Sequence, residues 1–240
     1  MTPTNPNYKQ HERGDRLRPD PSNRVYFALG QLRRMVEETI ADQKAALTGA
    51  TLVDYGCGNM PYQPLFEAAG VEHYQGADLA GNSQAAITLN PDGTLPLTPA
   101  SVDIILSIQV LEHVTDPALY LRECQRVLKP GGLLILSTHG TWIFHPDPLD
   151  LWRWTSMGLR KIVEEQGFEI QVFRGVTGLP ATGLQLWQDA LLPRLHWRLR
   201  QPFTWTMQKV IAFQDRRTPQ ADKDRDACVY LVIAHPRNQP

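Results

Sequence analysis

Apolar positions first recur at helical spacing, at Val25, Leu29, Leu32, Val36 and Ile40. One face of a 3.6-residue repeat carries all five, so a helix is predicted from Pro21-Ser22-Asn23 to a stop at Gly49. The pattern then switches to short β-prone runs. A strand is predicted over 51–55, closed by Gly56, and a second over 73–77, ending at Asp78. The run 103–108 is apolar without alternation, as in a strand buried on both faces, and 133–137 repeats that character. Helices are predicted between them. One covers 61–69 and stops at Gly70. Another opens with Asp116-Pro117, a cap followed by a proline in the first turn. It carries Leu121, Cys124 and Leu128 on its inner stripe and stops at Pro130-Gly131-Gly132. A helix over 155–166, a strand over 168–173 and a last strand over 228–234 complete the series.

Strand and helix alternating through short links imply βαβ units and a mainly parallel sheet. Ligands bind such sheets beyond the carboxyl ends of the strands. The segments there are 56–60, 78–82, 107–113 and 138–150. Residues 1–20 are polar, without hydrophobic period, and read as an extended arm; 21–240 read as one domain. Residues 180–225 break the rhythm and predict a helical insertion before the last strand. Trp187, Trp197 and Trp205 lie there among leucines, with six bases and one acid between Ala190 and Arg217. A lid, a dimer surface and a peripheral membrane contact through 184–213 all suit that composition.

Composition narrows the class. Of 240 residues 42% are apolar and 20% charged, as in an ordinary globular chain. Basic and acidic residues, 24 against 25, nearly cancel, so no nucleic-acid partner held by bulk charge is expected. No apolar run is long enough to span a bilayer, and the first residues lack a signal sequence. The three cysteines, Cys57, Cys124 and Cys228, are widely spaced and odd in number. They fit neither a disulfide framework nor a metal cluster, and a cytoplasmic location is expected.

Val53-Asp54-Tyr55-Gly56-Cys57-Gly58-Asn59-Met60 follows the first predicted strand. Its glycines allow a tight turn and close approach of a ligand. Twenty residues after Gly58 stands Asp78, at the end of the second strand, where a carboxylate can accept hydrogen bonds from both ribose hydroxyls. The pair reads as a site for a nucleoside-containing cofactor. A dinucleotide would want a third glycine where Met60 or Pro61 stands, and Asp54 would repel a pyrophosphate. The same carboxylate would attract an ammonium. S-adenosylmethionine carries ribose, ammonium and carboxylate, and no phosphate.

These residues carry a resemblance. Asp54-x-Gly56-x-Gly58 resembles the first motif of the class I S-adenosylmethionine-dependent methyltransferases. Leu95-Pro96-Leu97 with Ser101-Val102-Asp103-Ile104-Ile105, then Ile108-Gln109-Val110-Leu111-Glu112-His113-Val114, then Arg126-Val127-Leu128-Lys129-Pro130-Gly131-Gly132 resemble successive motifs of its type-11 branch. The likeness spans about 50–175 and departs at Met60, where the first motif usually has its third glycine. It implies an α/β, Rossmann-like sheet of seven mostly parallel strands, with helices on both faces and the first helix over part of the cofactor cleft. It implies that Asp54, Gly56, Cys57 and Gly58 hold the methionine part of the cofactor and Asp78-Leu79 the ribose. Asp92 would lie near the adenine and Gln109 near the methyl end.

Methyl transfer from a sulfonium is an in-line displacement that chiefly needs alignment in a dry site. A base is needed only for an acceptor that must lose a proton, such as a hydroxyl. His113 is the first candidate and His139, just past a strand end, the second; either could instead shape the pocket. The stretch 138–155 resembles a His-Pro-x-Pro-x-Asp-x-x-Arg-x-Thr run of a subset of these enzymes, some of them associated with glycan biosynthesis. There His145, Asp147, Asp150 and Arg153, among aromatic rings, could hold a sugar. The alternative is that Asp150 pairs with Arg153, Thr155 caps the next helix and the tryptophans are core. Cys57 reads as a small filler.

The expected function is methyl transfer from S-adenosylmethionine to a small molecule or glycan, at oxygen, by a monomer or homodimer. A nucleotide-dependent Rossmann oxidoreductase and a non-catalytic interaction protein on the same fold are the rivals.

Overall fold

A computed structural model describes residues 16–237. The predicted arm, 1–20, lies outside the described residues except for its last five. The helix α1 (Tyr26–Asp42) is followed by a single turn, α2 (Lys44–Leu47). Then come β1 (Thr51–Tyr55), α3 (Gln63–Ala68), β2 (His73–Asp78), a two-residue β3 (Ile87–Thr88) and β4 (Val102–Ile108). The second half holds α4 (Pro117–Val127), β5 (Leu128–His139), α5 (Ser156–Glu165), β6 (Phe168–Gly175), α6 (Leu179–Leu191), α7 (Trp197–Asp215), α8 (Gln220–Arg225) and β7 (Val229–Pro236). A short 3-10 turn, Leu192–Arg194, joins α6 to α7.

Seven strands form one sheet in the order β3-β2-β1-β4-β5-β7-β6. β7 runs antiparallel to both neighbours and the other pairs are parallel. This is the expected seven-stranded, mostly parallel sheet. Neighbouring residues of the apolar strands feed opposite cores. Val53, Ile105 and Leu134 join Leu121 and Cys124 of α4 and Leu159 of α5 on one face. Leu52, Ile104 and Leu133 join Leu32 and Val36 of α1 and Phe66 of α3 on the other. That is why the central strands read as unbroken apolar runs.

Local signals set most boundaries. Asp116 caps α4, its Oδ1 accepting from the Leu119 N–H at 2.9 Å. Thr155 caps α5 through Gly158 N–H at 3.0 Å. The α4 helix ends at Val127, earlier than the Pro-Gly-Gly stop predicts, because Leu128 is already extended and begins to pair with Val102.

The insertion predicted over 180–225 is helical: α6, α7 and α8. It leaves from the end of β6 and returns to the start of β7, where Gly175 pairs with Tyr230 and His139 with Val229. Both points lie at the edge where β1, β4 and β5 end. The insertion is pinned to α1. The Arg24 carbonyl accepts from Gln185, Gln188 and Gln208 at 2.9, 2.8 and 2.7 Å. Gln208 Oε1 in turn accepts the Phe27 N–H at 2.8 Å. Gln208 Oε1 thereby supplies the N-terminal cap that Val25 cannot.

Candidate active site

The turn after β1 closes on the end of β2. Gly56 N–H and Cys57 N–H both donate to the Ala77 carbonyl, at 2.8 and 3.1 Å. Gly58 N–H donates to Asp78 Oδ2 at 3.0 Å, and Leu79 N–H to Oδ1 at 2.8 Å. The Asn82 amide joins Asp78 Oδ2 and the Gly58 carbonyl, each at 2.7 Å. Each carboxylate oxygen has two lone pairs; Oδ2 already accepts two hydrogen bonds and Oδ1 one, so Asp78 keeps one acceptor position, at Oδ1. Gly56 is required by its φ of +83° and by Val110, whose Cγ1 would lie 2.5 Å from an added Cβ. Gly58, at φ +51°, faces open space on that side.

Met60 takes a φ of +49°, so the chain turns there as a glycine would. A Cβ on Gly76 would lie 2.7 Å from Met60 Sδ and from Cys57 Sγ. The bare backbone of β2 thus makes room for two sulfur side chains. Cys57 is buried, with its thiol pushed well above the ordinary range by burial first and by Asp54 and Asp78 next. That suits a filler and not a nucleophile.

Asp54 is buried, and its Oδ2 accepts from the Tyr74 hydroxyl at 2.5 Å. Burial raises its pKa to about 7, against the pull of Tyr74, and Asp78 adds to the rise. Asp92 is exposed and accepts from Thr94 N–H and Oγ1 at 3.0 and 2.7 Å, which lowers its pKa. Gln109, at φ +60°, follows β4; its Nε2 donates to Ser137 Oγ at 3.0 Å.

Beyond β4 and β5 lies a cluster centred on Glu112, which is fully buried. Its Oε2 accepts from Thr138 Oγ1 at 2.8 Å. Its Oε1 lies 2.9 Å from His139 Nδ1 and 3.8 Å from His113 Nε2. The His139 contact is at ion-pair distance without the alignment of a hydrogen bond. Burial would raise the Glu112 pKa, but the facing imidazoles outweigh it and the net shift is down. His139 is buried and stacks on Trp142 with centroids 5.2 Å apart. His113 Nδ1 donates to the Leu149 carbonyl, which leaves Nε2 as its basic nitrogen.

His145 meets both rings edge-on, at 5.1 and 4.6 Å. Burial, then His139, lowers its pKa to about 4. One ligand atom each from Glu112, His113 and His145 fall within 4.8 Å of one another. Ligands of a tetrahedral ion with ~2.0 Å bonds sit about 3.3 Å apart, so the group would have to contract to hold a metal.

Asp150 and Arg153 form a two-pronged pair, NH1 to Oδ1 at 2.6 Å and NH2 to Oδ2 at 2.7 Å. Asp150 Oδ2 also accepts the His145 N–H at 2.8 Å. Burial works against this carboxylate, yet Arg153 and the His145 amide bring its pKa down to about 2. Arg153 also donates to the Ile143 carbonyl at 2.7 Å, so the pair braces the loop. Asp147 is half-buried beside a cis bond to Pro148. Trp152, 39% exposed, donates to the Val114 carbonyl at 2.8 Å, and Phe144 is 74% exposed.

The structure therefore gathers Asp54, Gly56, Cys57, Gly58, Asp78 and Leu79 at one turn. His113, His139, His145 and Asp150 meet at a second cluster; Asp92 is exposed, next to Gly93, whose carbonyl accepts from the Tyr55 hydroxyl at the end of β1. Sequence reasoning assigned no role to Tyr74, Asn82 or Glu112. Glu112 lay inside a quoted motif, and Asn82 stands one helical turn past Asp78, but their contacts come from remote segments.

The strand order with its one antiparallel strand defines the class I methyltransferase fold. The family model Methyltransf_11, described as a methyltransferase domain, matches residues 53–136. A probable S-adenosylmethionine-dependent methyltransferase of Mycolicibacterium smegmatis is 38% identical over 88 residues, 34% of each chain. A ubiquinone biosynthesis O-methyltransferase of Cereibacter sphaeroides is 35% identical over 103 residues, 38% of this chain and 41% of that protein. The matches thus span about a third to two-fifths of those relatives. Among solved structures, an S-adenosylmethionine-dependent methyltransferase from Mesorhizobium loti superposes with a TM-score of 0.53 at 18% identity, covering 82% of this chain and 96% of that one. The cyclase SpnF superposes at 0.56 with 18% identity, covering 85% and 81%. A cyclase on this frame means that the fold alone does not fix the reaction.

Proposed function

We propose that this protein transfers the methyl group of S-adenosylmethionine to an oxygen of a small molecule or saccharide. The observation that carries the cofactor half is the Gly58–Asp78 contact. It sets a carboxylate with a spare lone pair on Oδ1 at a glycine turn, beside a second, buried carboxylate in Asp54. The residues fit the cofactor's chemistry. Asp78 Oδ1 offers an acceptor to a ribose hydroxyl, and Asp54 offers a charge partner to the ammonium. The cradle at Gly56 admits no Cβ. The cofactor, when bound, supplies an activated methyl group. The chain's own work is then to orient and to exclude water.

For the acceptor, His113 Nε2 is the nitrogen available to take a hydroxyl proton, because Nδ1 is committed to Leu149. The loop braced by Asp150 and Arg153 stands beside it, and the exposed rings of Phe144 and Trp152 offer faces to a sugar. The O-methyltransferases among the relatives support oxygen as the acceptor atom. The test is direct. S-adenosylhomocysteine raises the melting temperature and NAD does not. Incubation with isotopically labelled cofactor and extracts gives a product one CH2 heavier, whose methyl sits on oxygen. A chain that binds neither S-adenosylmethionine nor its product overturns the reading, and a methyl group found on nitrogen or carbon overturns its oxygen half.

A further inference from the structure

We propose that the outer face of α7, with the neighbouring edge of α6, docks on a bilayer that carries anionic headgroups. This stands on the surface itself and not on the methyl-transfer reading. The α7 helix is amphipathic in an unusual way. Thr204, Gln208, Ile211 and Asp215 face inward, and the opposite side exposes Trp205, Phe213 and Val210 at 53%, 55% and 40%. Trp187 of α6 and Trp197 at the start of α7 extend the exposed rings, at 53% and 67%.

The charge on this face has one sign. Between Leu179 and Arg217 there are six bases, all exposed, and two acids. Both acids turn inward. Asp189 pairs with Arg24 at 2.8 Å, and Asp215 takes Lys223 together with the Gly178 N–H. Among the described residues none of the six bases meets a carboxylate; Arg194, Arg200 and Arg217 donate only to backbone carbonyls of the insertion itself. The cations lie along the rings: Lys209 Nζ is 3.4 Å from the Trp205 centroid, and Arg217 is 3.4 Å from that of Phe213.

A protein partner would pair these bases with its own carboxylates. A second copy would bring the same positive face against itself, with no anion to offset it. Tryptophan at headgroup depth, with cations reaching lipid phosphate, matches the face without further requirement. No helix among the described residues is long and apolar enough to cross a membrane, so the contact is peripheral. The face belongs to the excursion that leaves and re-enters at the edge of the sheet bearing the glycine turn.

The test uses the full chain with unilamellar vesicles and no cofactor. The protein co-sediments with phosphatidylglycerol vesicles at low salt about tenfold or more better than with phosphatidylcholine, its tryptophan emission shifts to the blue, and salt reverses both. Lys209→Glu with Arg217→Glu lowers that partition by about tenfold or more, and Trp205→Ser with Phe213→Ser lowers it without removing the salt dependence. Both variants keep the parent melting temperature and S-adenosylhomocysteine affinity, since none of these side chains is buried. The proposal falls if the parent chain stays in the supernatant with anionic vesicles at low salt. It falls equally if it binds neutral and anionic vesicles alike, or if the face is taken up in a dimer that vesicles do not compete with.

Discussion

The backbone N–H of Gly58 donates to Oδ2 of Asp78 across 3.0 Å, tying the turn after β1 to the end of β2. The contact spans twenty residues of sequence. The carboxylate is held from three sides, by Gly58, Leu79 and Asn82, before any ligand arrives. A preset acceptor of this kind loses little entropy on binding.

Asp78→Asn removes the charge while keeping the shape. A hydrogen bond to a charged group contributes about 1.5–3 kcal/mol, so S-adenosylhomocysteine affinity falls about 10- to 100-fold. Calorimetric titration measures it. An unchanged affinity places the ribose elsewhere.

Asp54 makes cofactor affinity depend on pH. Its folded pKa, about 7, lies above the ordinary carboxylate value. Between about 4 and about 7 the native protein holds a proton that the unfolded chain releases, so stability declines as pH rises through that window and levels off above it. The ammonium needs the ionised form, so affinity runs the opposite way, rising from pH 5 to pH 7 and then flattening. Asp54→Asn flattens both curves. Urea denaturation and titration across that range check the two signs.

Gly56→Ala and Gly58→Ala separate strain from collision. At Gly58 an added methyl meets only an unfavourable φ, for about 1 kcal/mol. At Gly56 it meets Val110 as well, and the total is about 2–4 kcal/mol. Val110→Ala in the Gly56→Ala background restores the collision part alone. Chemical denaturation of the four proteins resolves the two contributions.

The Asp150–Arg153 pair braces the loop between β5 and α5 from within. A double-mutant cycle with Asp150→Ala and Arg153→Ala gives an interaction of about 1–2 kcal/mol, because Asp150 is buried and both prongs are in place. Affinity for S-adenosylhomocysteine is unaffected in either variant. Acceptor KM rises in both.

His113→Ala leaves cofactor affinity unchanged and lowers turnover by about 100-fold if Nε2 takes the acceptor proton. Equal loss of affinity and turnover assigns the ring to pocket shape alone.

The sequence made the strands legible because their burial is two-sided. Residues 103–108 could be read as a central strand from apolarity alone, and Asp116-Pro117 and Thr155 marked helix starts that depend only on neighbours along the chain. The glycine turn and Asp78 were legible because both flank strand ends. The two-residue β3 left no trace, since two residues cannot show a period. Glu112 looked like one motif residue among several. Only packing shows it as the fully buried carboxylate that three histidines face.

By itself the sequence determined the alternating sheet, the turn with its two carboxylates and the likeness to a methyltransferase-domain family over residues 53–136. These depend on local propensity, period and spacing, which a chain carries before it folds. The tertiary structure decided where the charges go. It buried Asp54 and so raised its pKa, gave Arg153 to Asp150, turned Asp189 and Asp215 inward, and left six bases on the outside of the insertion. Burial and partner distance fix what a charge does, and both arise between residues far apart in sequence.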